Sequence, residues 1–199
     1  MQTFFSSDHH FGHANIIKYC NRPFKDVEEM NEEMVARWNS RVGVDDCVMY
    51  LGDFSLSEAA VIQYSHRLNG KKVLIPGNHD QCFPHKRSPA KIERATALYE
   101  KNGWTVYPLD CHMTNTQGTF RLCHFPYLTQ KENEEYDVRY KQYRPERTDE
   151  RELLFHGHVH GTWKTLTGMV NVGVDVWDFY PVTIQEILDF KFSEHSKYY

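Results

Sequence analysis

Val73-Leu74-Ile75-Pro76-Gly77-Asn78-His79-Asp80 sets how the rest of the chain reads. Three apolar residues, two of them β-branched, predict a short buried strand that Pro76-Gly77 ends abruptly. An amide, an imidazole and a carboxylate follow at once, and strand ends are where open α/β sheets carry their chemistry. Asn78 offers a neutral oxygen, His79 a proton or a lone pair, and Asp80 an acceptor for an imidazole N–H. Taken alone, the stretch is a turn with solvated side chains. Other strand ends in the same chain change that reading.

Working outward, Thr3-Phe4-Phe5 predicts a first strand that runs into Ser6-Ser7-Asp8-His9-His10-Phe11-Gly12-His13. Alternation sets Asp8 and His10 on one side of the backbone and His9 on the other. Asp-x-His is then either a polar loop or a pair of metal donors, with His13 one turn further on. Cys47 to Leu51 predicts a second strand, ending in Gly52-Asp53-Phe54, and Lys71 to Ile75 is the strand of the opening motif. Between the strands, apolar spacing of three and four predicts helices from Asp26 to Trp38, from Leu56 to Leu68 and from Ala90 to Lys101. Asp26 suits an N-cap, with Glu29 three residues on. Strand, helix, strand in succession implies right-handed crossovers and parallel pairing.

After Trp104 to Tyr107, a further strand, the texture changes. Cys111 to Asn115 and Thr119 to Cys123 predict a hairpin through Thr116-Gln117-Gly118, and its second strand delivers His124. Leu153-Leu154-Phe155 predicts a strand ending in His156-Gly157-His158-Val159-His160-Gly161, where glycines let His158 and His160 enter one cleft. Met169 to Val174 predicts another strand, Ile184 to Phe190 a helix, and the tail after Ser193 a frayed end. Residues 131–152 are dense in both charge signs, which by default is a solvated loop or helix. Arg139, Lys141, Arg144 and Arg147 interleave with Tyr136, Tyr140 and Tyr143, so the alternative is a flap that shapes a substrate pocket.

The chain of 199 residues suits one domain, 1–199, with a full-sized core. Its net charge of −4 gives no overall basic field for nucleic acid or an anionic membrane. Five cysteines without a C-x-x-C pair argue against a disulfide framework or a thiolate zinc site and suit a reducing compartment. No signal segment and no apolar run near the ~20 residues of a membrane helix is apparent, so the expected location is cytoplasmic, away from membranes. Eight of twelve histidines (His9, His10, His13, His79, His124, His156, His158 and His160) fall in four stretches, which a scattered surface distribution would not produce.

The ordered set D-x-H (Asp8, His10), G-D (Asp53), G-N-H-D (Asn78, His79, Asp80), H (His124) and G-H-x-H (His158, His160) resembles the calcineurin-like metallophosphoesterase superfamily. The stretch Asp8 to Cys20 with Arg22-Pro23-Phe24, and the ending Asn171-Val172-Gly173-Val174-Asp175, resemble a small prokaryotic and phage branch of it. The resemblance implies an α/β (α+β) fold, a four-layer αββα sandwich of two mixed sheets flanked by helices. It implies two divalent ions, Mn²⁺ first, with Fe, Zn²⁺, Ni²⁺ or Co²⁺ also compatible with a nitrogen and oxygen donor set. Asp8, His10, Asp53 and His160 would hold one, and Asp53, Asn78, His124 and His158 the other. His79 would be the general acid and Asp80 would orient its ring. His13, Arg22, Asn78 and His156 are candidate substrate contacts, each of the first two and His156 having a bland reading as a solvated or core side chain.

Charge counting fits this independently. Two divalent ions, two carboxylates (Asp8, Asp53) and a bridging hydroxide leave a residual charge of about +1, which favours a phosphate and its transition state. The expected function is hydrolysis of a phosphomonoester or phosphodiester, a small-molecule phosphate ester, by a dimetal-bound hydroxide. The alternatives are a protein-binding scaffold on the same fold and a nuclease, against which the acidic balance weighs.

Overall fold

Both faces of the apolar run at 73–75 are buried, and that decides the architecture. The computed structural model describes residues 1–128 and 138–195. One five-stranded sheet is built from β1 (Thr3–Ser6), β2 (Cys47–Tyr50), β3 (Lys71–Leu74), β4 (Trp104–Val106) and the two-residue β10 (Val182–Thr183). Its order is β10-β1-β2-β3-β4, with β1 to β4 parallel and β10 antiparallel on β1. The other contains β5 (Asp110–Asn115), β6 (Gly118–Cys123), β7 (Leu153–His156), β8 (Thr165–Leu166) and β9 (Met169–Asn171), in the order β5-β6-β7-β9-β8. Here β6, β7 and β9 run parallel, and β5 and β8 pair antiparallel at the two edges.

Alternation along each strand separates two cores. Phe4, Val48, Tyr50, Leu74 and Trp104 face α2 (Val27–Arg41), α3 (Glu58–Ser65) and α4 (Pro89–Lys101), meeting Met34, Trp38, Val61 and Tyr99. Phe5, Met49, Leu51 and Ile75 face the second sheet, meeting Phe120, Leu122, Phe155 and Val170. The short α1 (Ala14–Tyr19) contributes Ile16 to the first core, and α5 (Ile184–His195) contributes Ile184 and Ile187 to the intersheet core. The α2 N-terminus is capped by Asp26, whose side chain accepts from the Glu29 N–H at 2.8 Å, while Glu29 reaches back to the Lys25 N–H at 2.7 Å.

The two mixed sheets and their flanking helices agree with the expected fold class. The outer face of the second sheet is covered differently from the first. Leu154, Cys123 and Met169 pack there against Phe83, Phe125 and Tyr127, with Tyr140 and Tyr143 of a 3₁₀ helix, Val138–Tyr143. The described part of the charged segment is therefore packed through its tyrosines, not a fully solvated face; residues 131–137, including Tyr136, lie outside the described residues. The two-residue strands β8 and β10 carry too few residues to show a period, which is why the sequence does not announce them. The helix at the C-terminus extends to His195, beyond the expected Phe190 and past the start of the expected frayed tail, whose last residues, 196–199, are outside the described residues. No helix among the described residues is long and apolar enough to cross a membrane.

Candidate metal centre

The strand ends converge at one end of the two sheets. Asp8 follows β1, Asp53 follows β2, Asn78 follows β3, His124 follows β6, and His158 and His160 follow β7. A parallel bridge between Ser7 and Gly173 ties the two sheets together there. Asp8, His10 and His160 bring three potential ligand atoms within 4.8 Å of one another, and Asp53, His124 and His158 form a second such group. Asp53 Oδ2 lies between the groups, 3.6 Å from His10 Nε2 and 3.4 Å from His124 Nε2. Asn78 Oδ1 is 3.2 Å from the same His124 nitrogen. The seven residues read from the sequence as metal donors are thus gathered in one place.

Backbone strain is concentrated at the same point. Asp8, His10, Asp53, His158 and His160 all have positive φ, between 47° and 71°. Such a conformation costs a non-glycine residue on the order of 1–3 kcal/mol and persists where the surroundings over-determine it. Close approach explains two glycines. A Cβ on Gly77 would collide with the Asp53 carboxylate and the His124 ring, and one on Gly157 would strike Ser7 Oγ and the Asp8 carboxylate.

Hydrogen bonds aim the donors. His124 Nδ1 is bonded to the Leu51 carbonyl at 2.7 Å, leaving Nε2 toward Asp53. His160 Nδ1 is bonded to Asp175 Oδ2 at 2.8 Å, leaving its Nε2 as the free donor atom. This is the carboxylate–imidazole arrangement that fixes the tautomer of metal-binding histidines. His10 is 1% exposed, and neither of its ring nitrogens has a hydrogen-bond partner among the described residues. A buried imidazole in that condition is costly unless a cation takes its lone pair. The donor set, nitrogen and oxygen with one shared carboxylate, fits two divalent ions of the borderline to hard kind. Cys20, His160 and Asp175 also cluster within 4.8 Å. Both Asp175 oxygens are already engaged by Arg22, so this group orients His160 instead of forming a further ion site.

Three sequence readings need correcting. Asp80 does not hydrogen-bond the His79 ring. Its carboxylate accepts from the backbone N–H of Asp53 (2.8 Å), Phe54 (3.0 Å) and Gly77 (2.8 Å) and from the Tyr99 hydroxyl (2.8 Å), so it shapes the loops that carry Asp53 and Asn78. Arg22 is buried, and its five N–H groups are engaged by Asp175, by the carbonyls of Asp8 and His9 and by Met30 Sδ, which leaves it nothing for a phosphate. His156 is a core histidine, bonded through Nδ1 to the Gly157 carbonyl at 2.7 Å and packed on Trp163. His79 and His13 stand at the mouth. The His79 side chain is 39% exposed, 5.0 Å ring to ring from His10, and its backbone N–H donates to Asp53 Oδ1 at 2.8 Å. The His13 ring is 5.7 Å from that of His10. Sequence reasoning missed Asp175 as an orienting group, although the stretch that contains it stood out, and missed Asn171, whose side-chain amide holds the carbonyls of His160 and Trp163.

Charge in this buried site is strongly coupled. Burial alone would lower both His124 and His160. The Asp53 carboxylate nevertheless holds His124 up at about 9, and the bonds to Asp175 and Cys20 hold His160 up at about 11. Burial pulls His9 and His156 down to about 3 and His10 well below its ordinary value. The sign of the pH dependence follows. Below pH 6.5 the unfolded chain protonates these three histidines while the folded chain does not, so stability falls with pH by about 1.4 kcal/mol per unit per group. Asp80, raised to about 6 by burial and then by Asp53, opposes this as one group against three. Above pH 6.5 His124 and His160 keep protons that the unfolded chain releases, so stability falls again toward pH 9 and beyond. The metal-free protein is therefore expected to be most stable near pH 6.5, with a steep acid limb between 6.5 and 4. Urea midpoints followed by circular dichroism across pH 4–9 test this; a flat acid limb would mean that these histidines are solvated.

No family model matches the chain. The Gene 66 protein of Mycobacterium phage L5 is 31% identical over 188 residues, covering 88% of this chain and 87% of that protein. The chain belongs to the gene 66 protein family. The Gene 66 protein of Mycobacterium phage D29 is 32% identical, with 87% of each chain covered. The Methanocaldococcus jannaschii protein MJ1445 is 51% identical over 78 residues, which spans 38% of this gene 66 family chain and 44% of the archaeal protein, less than half its length. Among solved structures, AQ665 from Aquifex aeolicus shares the fold, with a TM-score of 0.66, 22% identity, and 94% and 98% of the two chains covered.

Proposed function

We propose that the chain is a metal-dependent phosphoesterase of the metallophosphoesterase type, acting on a small-molecule phosphate ester. The observation that carries this is Asp53 Oδ2, within 3.6 Å of a histidine from each of the two donor groups. Asp8, His10, Asp53 and His160 would hold one divalent ion, and Asp53, Asn78, His124 and His158 the other. Such a pair of ions supplies Lewis acidity toward phosphoryl oxygens and lowers the pKa of water.

The chain's own residues do the rest. Asp80 and the Leu51 carbonyl fix Asp53 and His124 before a substrate arrives, so little reorganisation is left for the reaction. His79, exposed at the mouth and tethered through its backbone to Asp53, donates a proton to the leaving oxygen. His13 and the Asn78 amide would donate to the non-bridging oxygens. Metal content measured together with Mn²⁺-dependent hydrolysis of p-nitrophenyl phosphate and bis(p-nitrophenyl) phosphate tests the reading. Two ions per chain with turnover are expected, and the preferred ester assigns monoesterase or diesterase work. A chain that takes up no ion under several loading conditions would overturn it in favour of a scaffold.

A further inference from the structure

We propose that Arg22 and Asp175 form a buried positioning clamp that serves one of the two ion sites and leaves the other largely alone. The inference rests on the dinuclear reading above.

Arg22 and Asp175 are 0% and 4% exposed, and their contact is bidentate, Nε to Oδ1 at 2.8 Å and Nη2 to Oδ2 at 2.9 Å. That Asp175 oxygen, Oδ2, also accepts from His160 Nδ1 at 2.8 Å. Across the fork, Arg22 Nη2 donates to the Asp8 carbonyl at 2.6 Å and Nη1 to the His9 carbonyl at 2.9 Å. A single guanidinium thus pins the backbone between Asp8 and His10, where φ is positive, and through Asp175 sets the ring of His160. Those are the three donors of one group. The donors of the other group are ordered by different partners, Asp80 for Asp53 and the Leu51 carbonyl for His124. The two systems meet through backbone hydrogen bonds, the Asp8 N–H to the Gly52 carbonyl at 3.0 Å and the His10 N–H to the Asp53 carbonyl at 3.1 Å, and through the His158 N–H, which donates to the Asp8 carboxylate at 3.1 Å; none of these bonds involves Arg22 or Asp175.

The planar fork of arginine makes this possible, and a lysine cannot reproduce it. The carboxylate matters for the proton as much as for the geometry. When an ion displaces the Nε2 proton of His160, Asp175 keeps the remaining proton on Nδ1. In Asp175→Asn the amide NH2 faces Arg22 in either orientation, Nε in one and Nη2 in the other, and in the second it also faces His160 Nδ1. In the first orientation the Arg22 fork is broken; in the second the His160 proton moves to Nε2, the atom needed for the ion.

Cobalt titration of the metal-free chain, followed by visible d–d absorption, tests this on the wild type, Asp175→Asn and Arg22→Lys, with thermal melts alongside. The wild type is expected to take up two equivalents. Asp175→Asn should bind one equivalent as before and the other about 10–100-fold more weakly, the usual loss when a group supporting a metal ligand is removed. Arg22→Lys should act in the same direction, and it keeps the test open if Asp175→Asn does not fold. Two equivalents bound with unchanged affinity would overturn the clamp, as would equal weakening of both sites with a lowered melting temperature, the mark of a merely structural role. A wild type that binds fewer than two equivalents removes the dinuclear reading itself and the clamp with it.

Discussion

Asp53→Asn is expected to hold at most one divalent ion per chain and to lose at least about 10³-fold in turnover. The carboxylate is 1% exposed, and its Oδ2 lies 3.4 Å from His124 Nε2, 3.6 Å from His10 Nε2 and 4.0 Å from His79 Nε2. Its other oxygen accepts the His79 backbone N–H. Replacing Oδ2 by an amide nitrogen removes a negative charge that both ions would share and turns a donor toward two imidazoles. Lewis-acid stabilisation of a phosphoryl transition state is worth several kcal/mol. At 1.36 kcal/mol per tenfold, losing about 4 kcal/mol costs about 10³ in rate. Asparagine keeps the size of the side chain and one oxygen for His79, so the loss should not come from a collapsed loop. Metal analysis and steady-state kinetics check it, with circular dichroism as the control for folding; two tightly held ions in Asp53→Asn would sink the bridging role.

The donors were legible because each is tied to the end of an apolar run. A buried strand announces itself by period and composition, and the polar residue that follows it has a fixed place at the sheet end. Asp8, Asp53, Asn78, His124 and His158 are all of this kind. What stayed hidden depends on contacts that local pattern does not encode. Arg22 and Asp175 are 153 positions apart, and nothing near Arg22-Pro23-Phe24 tells a phosphate contact from a buried carboxylate contact. At Asp80, adjacency in sequence to His79 does not carry over into space. The turn at Gly77 carries its carboxylate back onto the Asp53 and Gly77 amides, away from the adjacent imidazole.

The covering of the second sheet was hidden for a related reason. A charged run with tyrosines at 140 and 143 has no apolar period, yet both rings pack on Phe83 and Phe125. Tyrosine buries a ring while leaving its hydroxyl a polar partner, so the hydropathy of the run understates what it can cover. Tyr140 also lies 6.2 Å from the His158 ring, which brings the segment to the edge of the site. Left-handed backbone at Asp8, His10, Asp53, His158 and His160 has only a weak signal, since aspartate and histidine adopt it more often than most residues but far less readily than glycine. The site's strain is visible only in three dimensions.

His79→Ala should separate proton donation from metal binding. The alanine variant is expected to hold both ions, because what His79 gives Asp53 is a backbone N–H that the substitution preserves. Its ring is 39% exposed and 4.0 Å from Asp53 Oδ2, at the mouth instead of inside either donor group. Positioned general acids contribute typically about 10²–10⁴-fold. The size of the loss should depend on the leaving group. An alkoxide departs poorly without a proton, so alkyl phosphates should slow by about that factor, whereas p-nitrophenolate departs unaided and should slow far less. A series of esters graded by leaving-group pKa measures this directly. Wild-type turnover should respond weakly to the series and His79→Ala steeply, the two lines converging at the most acidic phenols. Parallel lines displaced by a constant factor would assign His79 to phosphate binding, and superimposed lines would take it out of the reaction altogether.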